Sequence, residues 1–113
     1  MSDAAVSRVL NTLQKDGGLQ GKDIATLTNV SKATVHRWIT GKAAPQPKNE
    51  LIISDLNHVV QKLRDYYKPK TIRLCLHSRH PGLGGERAIV LIHQNRTDEV
   101  LTIIARLDAD AFV

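Results

Sequence analysis

The sequence predicts a small, mostly helical protein built around a helix-turn-helix. Three observations lead there. Residues 21–41, GKDIATLTNVSKATVHRWITG, carry the apolar spacing of two short helices meeting at a tight corner. Residues 48–67 hold one continuous apolar stripe. Sixteen Lys and Arg against eleven Asp and Glu give a net charge of +5 and a pI near 9.7, which favours an anionic partner, most often nucleic acid.

The first helix is expected over residues 3–15, where Val6, Val9 or Leu10, and Leu13 recur at helical spacing. Ser2 or Asp3 can cap it, and Gly17 and Gly18 stop it. A second helix, residues 22–27, buries Ile24, Ala25 and Leu27, and Thr28 and Asn29 make the corner. Ser31 is a good N-cap for a third helix that runs to about Thr40, with Val35 and Trp38 on its inner face. Ala43-Ala44-Pro45-Gln46-Pro47 follows, and two prolines in three positions force extended chain. This reads as a hinge between two units, residues 1–44 and 45–113.

The second unit opens with a long helix over residues 48–67. Its apolar positions are Ile52, Leu56, Val59, Val60, Leu63 and Tyr67, with Pro69 just beyond. The next segments are less decided. Ile72, Leu74 and Leu76 alternate with Arg73 and Cys75, a strand signal, while the short apolar run 88–92 suits strand or buried helix. Pro81-Gly82-Leu83-Gly84-Gly85 reads as a flexible loop. Residues 97–107 read as a helix capped by Thr97, with Asp98 and Glu99 at its positive end, Arg106 at its negative end, and Val100, Leu101, Ile104 and Leu107 as its stripe.

With 42% hydrophobic residues the chain is globular rather than disordered, and with 4% aromatics its core must be aliphatic. One cysteine, Cys75, allows no disulfide within the chain and suits a reducing compartment. No window approaches a membrane span and the first residues lack a signal-peptide core, so a cytoplasmic protein without membrane partners is expected.

The third helix carries the most specific chemistry. With its inner face occupied, Ser31, Lys32, Ala33, His36, Arg37 and Thr40 point outward. Nine residues span roughly 14 Å, which suits a major groove about 12 Å wide. Arg37 can read a guanine edge through paired donors, Lys32 can hold phosphate, and Ala33 can meet a thymine methyl. The plain alternative is an ordinary helical hairpin with a solvated outer face.

Other signals are weaker. Cys75, His77 and His80 lie close in sequence, but a zinc site normally needs four ligands, and the fourth would have to be His93 or a distant carboxylate. The glycine-rich stretch 82–87 lacks the G-K-[ST] of a phosphate loop, and no catalytic triad or carboxylate pair stands out. No metal, cofactor or catalysis is expected. The chain ends on Phe112 and Val113 after Asp108 and Asp110, an apolar pair that either tucks into its own core or inserts into a partner.

Several of these motifs together resemble the Xre/MbcA/ParS-type antitoxins. Trp38-x-x-Gly41, Pro45 and the following helix are shared. So are His80-Pro81-x-Leu83-Gly84-Gly85, Ala88-x-x-Leu91-Ile92 and Arg96-x-Asp98-Glu99-Val100-Leu101. The length and the Phe112-Val113 ending look most like the MbcA-type members. The family often has Gly-Arg where this chain has Asn95-Arg96, glycine where it has Asp110, and tryptophan in the segment of Leu74. The resemblance implies an all-α fold with a mostly helical second unit, and so helix rather than strand at residues 72–76. It implies a RES-domain toxin that degrades NAD as partner, bound by residues 45–113 so that the toxin's active-site entrance is obstructed. Leu83, Arg87, Arg96, Leu107, Asp110, Phe112 and Val113 are the residues it assigns to toxin binding. Residues 1–44 would bind the operator of the chain's own operon, with the chain a homodimer inside a larger toxin–antitoxin complex. The alternative is a stand-alone helix-turn-helix regulator without a toxin.

Overall fold

The computed structural model describes residues 3–110, with side chains for residues 4–107. Phe112 and Val113, Ser2 and the side chains of Asp3, Asp108 and Asp110 lie outside the described residues. The fold is mostly helical. Helix α1, Asp3–Gly17, buries Val6, Leu10 and Leu13 along one stripe. It packs on α4, Pro47–Leu63, and on α3, Lys32–Ile39. Between α1 and α3 lies α2, Gly21–Thr28, whose Ile24, Ala25 and Leu27 face the core.

Gly18 ends α1 with φ +62, and a Cβ there would sit 2.7 Å from the Pro69 carbonyl oxygen. Both the left-handed backbone and the close approach require glycine. Gly18→Ala should therefore lower stability by about 2 kcal/mol, read as a fall in Tm, because the left-handed strain adds to a clash with backbone that cannot swing away.

Between the bend at Ala43 and the start of α4, Gln46 is extended (φ −65°, ψ 157°) and Pro45 is buried. Pro47 opens α4 at a position where its missing N–H costs nothing. α4 buries Ile52, Ile53, Leu56, Val59, Val60 and Leu63, and packs on α1, α2, α6 and α7, so one apolar core runs past Pro45. The helix stops at Leu63, a turn earlier than its stripe suggests. The N–H groups of Tyr66 and Tyr67 both converge on the Leu63 carbonyl, and Tyr67 still packs half-buried on the core.

Helix α5, Pro69–His77, replaces the strand signal at 72–76. Ile72 and Leu76 are buried four residues apart, while Leu74 is 57% exposed, so the alternation was a helical i, i+4 pair with an outward leucine between. The glycine-rich stretch is a structured hairpin rather than a flexible loop. Strands β1, Arg79–His80, and β2, Glu86–Arg87, pair antiparallel with Arg79 opposite Arg87 and His80 opposite Glu86. Between them Pro81–Leu83 forms a 3₁₀ turn that rests on the last helix, where a Cβ on Gly82 would meet Ile103 at 2.7 Å. Helix α6, Ala88–His93, is short and buries four of its six residues.

Asn95 then turns the chain at φ +61, as Asn29 does at φ +57. Asparagine suits both places, since it tolerates the left-handed region better than most side chains. Helix α7, Thr97–Asp110, closes the fold with Val100 and Ile104 inward. Thr97 is its first residue rather than its cap. The buried hydroxyl donates to Asp55 Oδ2 in α4 at 3.1 Å, tying the two helices together.

Candidate nucleic-acid and partner interfaces

The corner between α2 and α3 is built by local rules. Asn29 caps α2 in the left-handed conformation (φ 57°, ψ 47°), and the Val30 N–H returns to the Ala25 carbonyl at 3.0 Å. Ser31 caps α3, its Oγ accepting from the Thr34 N–H at 3.1 Å. Val35 and Trp38 are buried beneath it. Ser31, Lys32, Ala33, His36, Arg37 and Thr40 are all exposed on α3 and its ends, so one outward face holds every residue named for DNA contact. Arg37 Nη2 donates to Thr34 Oγ1 at 3.1 Å, which steadies the guanidinium along the helix. The Thr40 hydroxyl donates to the His36 carbonyl at 3.0 Å.

The residues named for partner contact that the structure describes lie on the β-hairpin, before α6 and on or beside α7. Arg87, exposed, ends β2 and is the N-cap of α6. Arg96 forms a two-armed pair with Glu99, Nε to Oε2 at 2.6 Å and Nη2 to Oε1 at 2.9 Å, both side chains half exposed. That pair holds the Glu99 carboxyl below its usual range. Leu83 differs: it is only 8% exposed and lines an apolar cavity with Leu76, Ala88, Val100 and Ile104, so its side chain packs within this chain. Leu107 sits half-buried at the same cavity. Helix α7 carries Asp110 at its end, while Phe112 and Val113 lie outside the described residues.

An ion cluster for which the sequence has no local signal joins α2 to α5. Asp23 in α2 is 5% exposed and receives Arg73 of α5 through Nε at 3.0 Å and Nη2 at 3.2 Å. The Gln20 N–H donates to the same carboxylate at 2.7 Å, and His77 Nε2 lies 3.0 Å from Oδ1. Burial pushes the Asp23 carboxyl up, but the Arg73 and Gln20 hydrogen bonds and the charges of Arg73 and His77 outweigh it, holding the group below its ordinary value. Nearby, His93 Nδ1 of α6 meets the Leu27 carbonyl of α2 at 2.6 Å. His77 is thus directed at Asp23, and His80 Nδ1 accepts from the Gly82 N–H at 2.9 Å. Among the described residues no three His, Cys, Asp or Glu side chains converge to hold a metal. Among them, too, no helix is long and apolar enough to cross a membrane.

Fold and exposed face define a helix-turn-helix protein with further helices packed behind it. Residues 3–39 match the family of winged helix-turn-helix DNA-binding domains. The particular likeness is to MbcA-type antitoxins. A probable mycobacterial cidal antitoxin of Mycobacterium tuberculosis is 28% identical over 107 residues, covering 95% of this chain and 86% of the relative. The same fold occurs in the crystal structure of the M. tuberculosis MbcT–MbcA toxin–antitoxin complex, with a TM-score of 0.83, 21% identity, and coverage of 96% of this chain and 97% of that one.

Proposed function

We propose that the chain is a non-catalytic antitoxin that binds and blocks a RES-domain, NAD-degrading toxin encoded beside it and represses its own operon through α3. The observation that carries this reading is the extent of the antitoxin match, which runs through both halves of the chain rather than through the helix-turn-helix alone. The exposed cationic face of α3 supports the DNA role. Residues 1–44 read the operator and residues 45–113 hold the toxin, with Arg87, Arg96, Leu107, Asp110, Phe112 and Val113 at the contact and Leu83 packed behind them. One helix-turn-helix reads few base pairs, so a homodimer on half-sites about 34–36 Å apart completes the arrangement.

The DNA role is tested by Arg37→Ala with Lys32→Ala in a low-salt gel-shift assay on the upstream promoter. Removing one group that reads a base edge and one that holds a phosphate should weaken binding at least tenfold, since a paired contact to a base contributes about 1–3 kcal/mol. An unchanged shift would remove α3 from the interface. A stand-alone regulator is the second reading, and it separates from the first at the C-terminus: its DNA binding and its biological role would both survive loss of residues 108–113.

A further inference from the structure

We propose that α3 is bracketed by two phosphate-backbone contact sites: the corner after it, Lys42 with Lys48 and Asn49 at the start of α4, and Lys22 at the start of α2. The inference rests on the DNA-binding reading and extends it to residues outside the recognition helix.

Charge distribution is the first argument. From Gly21 to Asn49 the sequence holds five cations, Lys22, Lys32, Arg37, Lys42 and Lys48, and one carboxylate, Asp23: a net of +4 within a chain of +5. All five cations are exposed, and no ion pair joins any of them to a carboxylate among the described residues. The lone acid is buried and held by Arg73. Elsewhere Arg64 pairs with Asp16 and Arg96 with Glu99. Unpaired cations concentrated in one exposed segment are what a polyanion selects, because each phosphate they neutralise releases condensed counterions.

Geometry is the second. The corner is tied to the recognition helix itself: the N–H groups of Lys42 and Ala43 both donate to the Arg37 carbonyl, at 2.8 and 3.3 Å. Gly41 makes that return possible with φ +78, and Pro45 anchors the segment in the core. Lys42 therefore keeps its place relative to Arg37. Thr34 and Arg37 of α3 line one cleft together with Lys48 and Asn49 of α4, and Trp38 and Ile52 also line it. A second cleft is lined by Lys22 and Lys32, and the two clefts share Asn29 and Val30. The cations thus stand on both sides of the start of α3. With that helix in a major groove, cations on both sides face the sugar–phosphate strands that border it, fixing register without reading sequence.

The test measures binding of the full chain to two duplexes of about 30 base pairs, one from its own promoter and one scrambled, across roughly 50–200 mM salt. Lys42→Gln with Lys48→Gln should weaken binding to both duplexes by the same factor, about tenfold at the low-salt end. The slope of log affinity against log salt should become shallower by about 0.9 for each phosphate no longer neutralised, close to 2 per bound chain for the pair. Lys22→Gln should cost about half as much. Lys62→Gln, fourteen residues along α4 and roughly 21 Å away, serves as the exposed-lysine control and should leave the slope unchanged. If the wild type binds with a steep slope and the double variant keeps it, the bracket is wrong and the DNA reading stands. If only promoter binding falls, these residues read sequence and the phosphate assignment is wrong. If the wild type binds neither duplex at low salt, the DNA reading fails and this inference with it.

Discussion

Removing residues 108–113 should abolish neutralisation of the partner toxin while leaving the fold and promoter binding intact. The reasoning starts from what holds α7 in place. Val100 and Ile104 are buried, and Leu101, Ile103 and Leu107 pack against the core, all before residue 108. The truncated chain retains all of this packing. It lacks Phe112, the only phenylalanine in the sequence, together with Val113 and two carboxylates. An aromatic side chain seated in a partner's pocket is the type of residue whose removal costs about 2–4 kcal/mol, a fall of roughly 30- to 1,000-fold in affinity. Phe112→Ala alone should give most of that fall. The check is co-expression with the toxin, scored as cell survival, alongside thermal melting of the purified variant. Full survival with the truncated chain would contradict insertion of the tail. A lowered Tm would instead make the tail part of this chain's own core.

The second large effect is on stability. Arg73→Ala should destabilise the fold by about 2–4 kcal/mol, because it leaves the buried Asp23 carboxylate facing only the Gln20 N–H and His77. The two partners lie on α2 and α5, fifty residues apart, so the substitution loosens α2, which packs on α3. Asp23→Asn with Arg73→Met, which removes both charges, should recover part of it. The pH dependence has a definite sign. The folded chain holds the Asp23 carboxyl below its ordinary value, so it binds protons less readily than the unfolded chain. Its contribution to stability is complete above the unfolded value of about 3.9 and is lost as pH falls through the lower folded value. Melting curves should therefore separate wild type from Asp23→Asn at neutral pH and converge in strong acid. A gap that widens on acidification would contradict the assigned ion pair.

Much of this was legible in the sequence because it is local. Ser31 as a cap, Asn29 as the corner, Val35 and Trp38 inward and Arg37 outward all follow from spacing within one or two turns. The stripe of α4 was legible for the same reason, except that Tyr67 continues its apolar spacing after the helix has ended. At 72–76 five residues are too few to separate period 2 from an i, i+4 pair, and residue spacing alone pointed to a strand. Only the likeness of neighbouring motifs to a helical family corrected it. The hairpin around Pro81–Leu83 was hidden because glycines signal a turn without saying what the turn packs on, here Ile103. Leu83 carries the motif of a contact residue, and its burial within this chain was not legible from that motif. The Asp23–Arg73–His77 cluster was invisible, since each member reads as an ordinary surface charge until folding brings α2 and α5 together.

The proposed block of an NAD-degrading toxin by a non-catalytic chain has a direct biochemical readout. It is tested most directly by purifying the toxin encoded beside it and following NAD consumption as the full-length chain is added. We expect a stoichiometric complex and a fall in NAD loss that completes at a fixed molar ratio, with the chain alone leaving NAD intact. Undiminished NAD consumption in the presence of excess chain, with no complex formed, would contradict it.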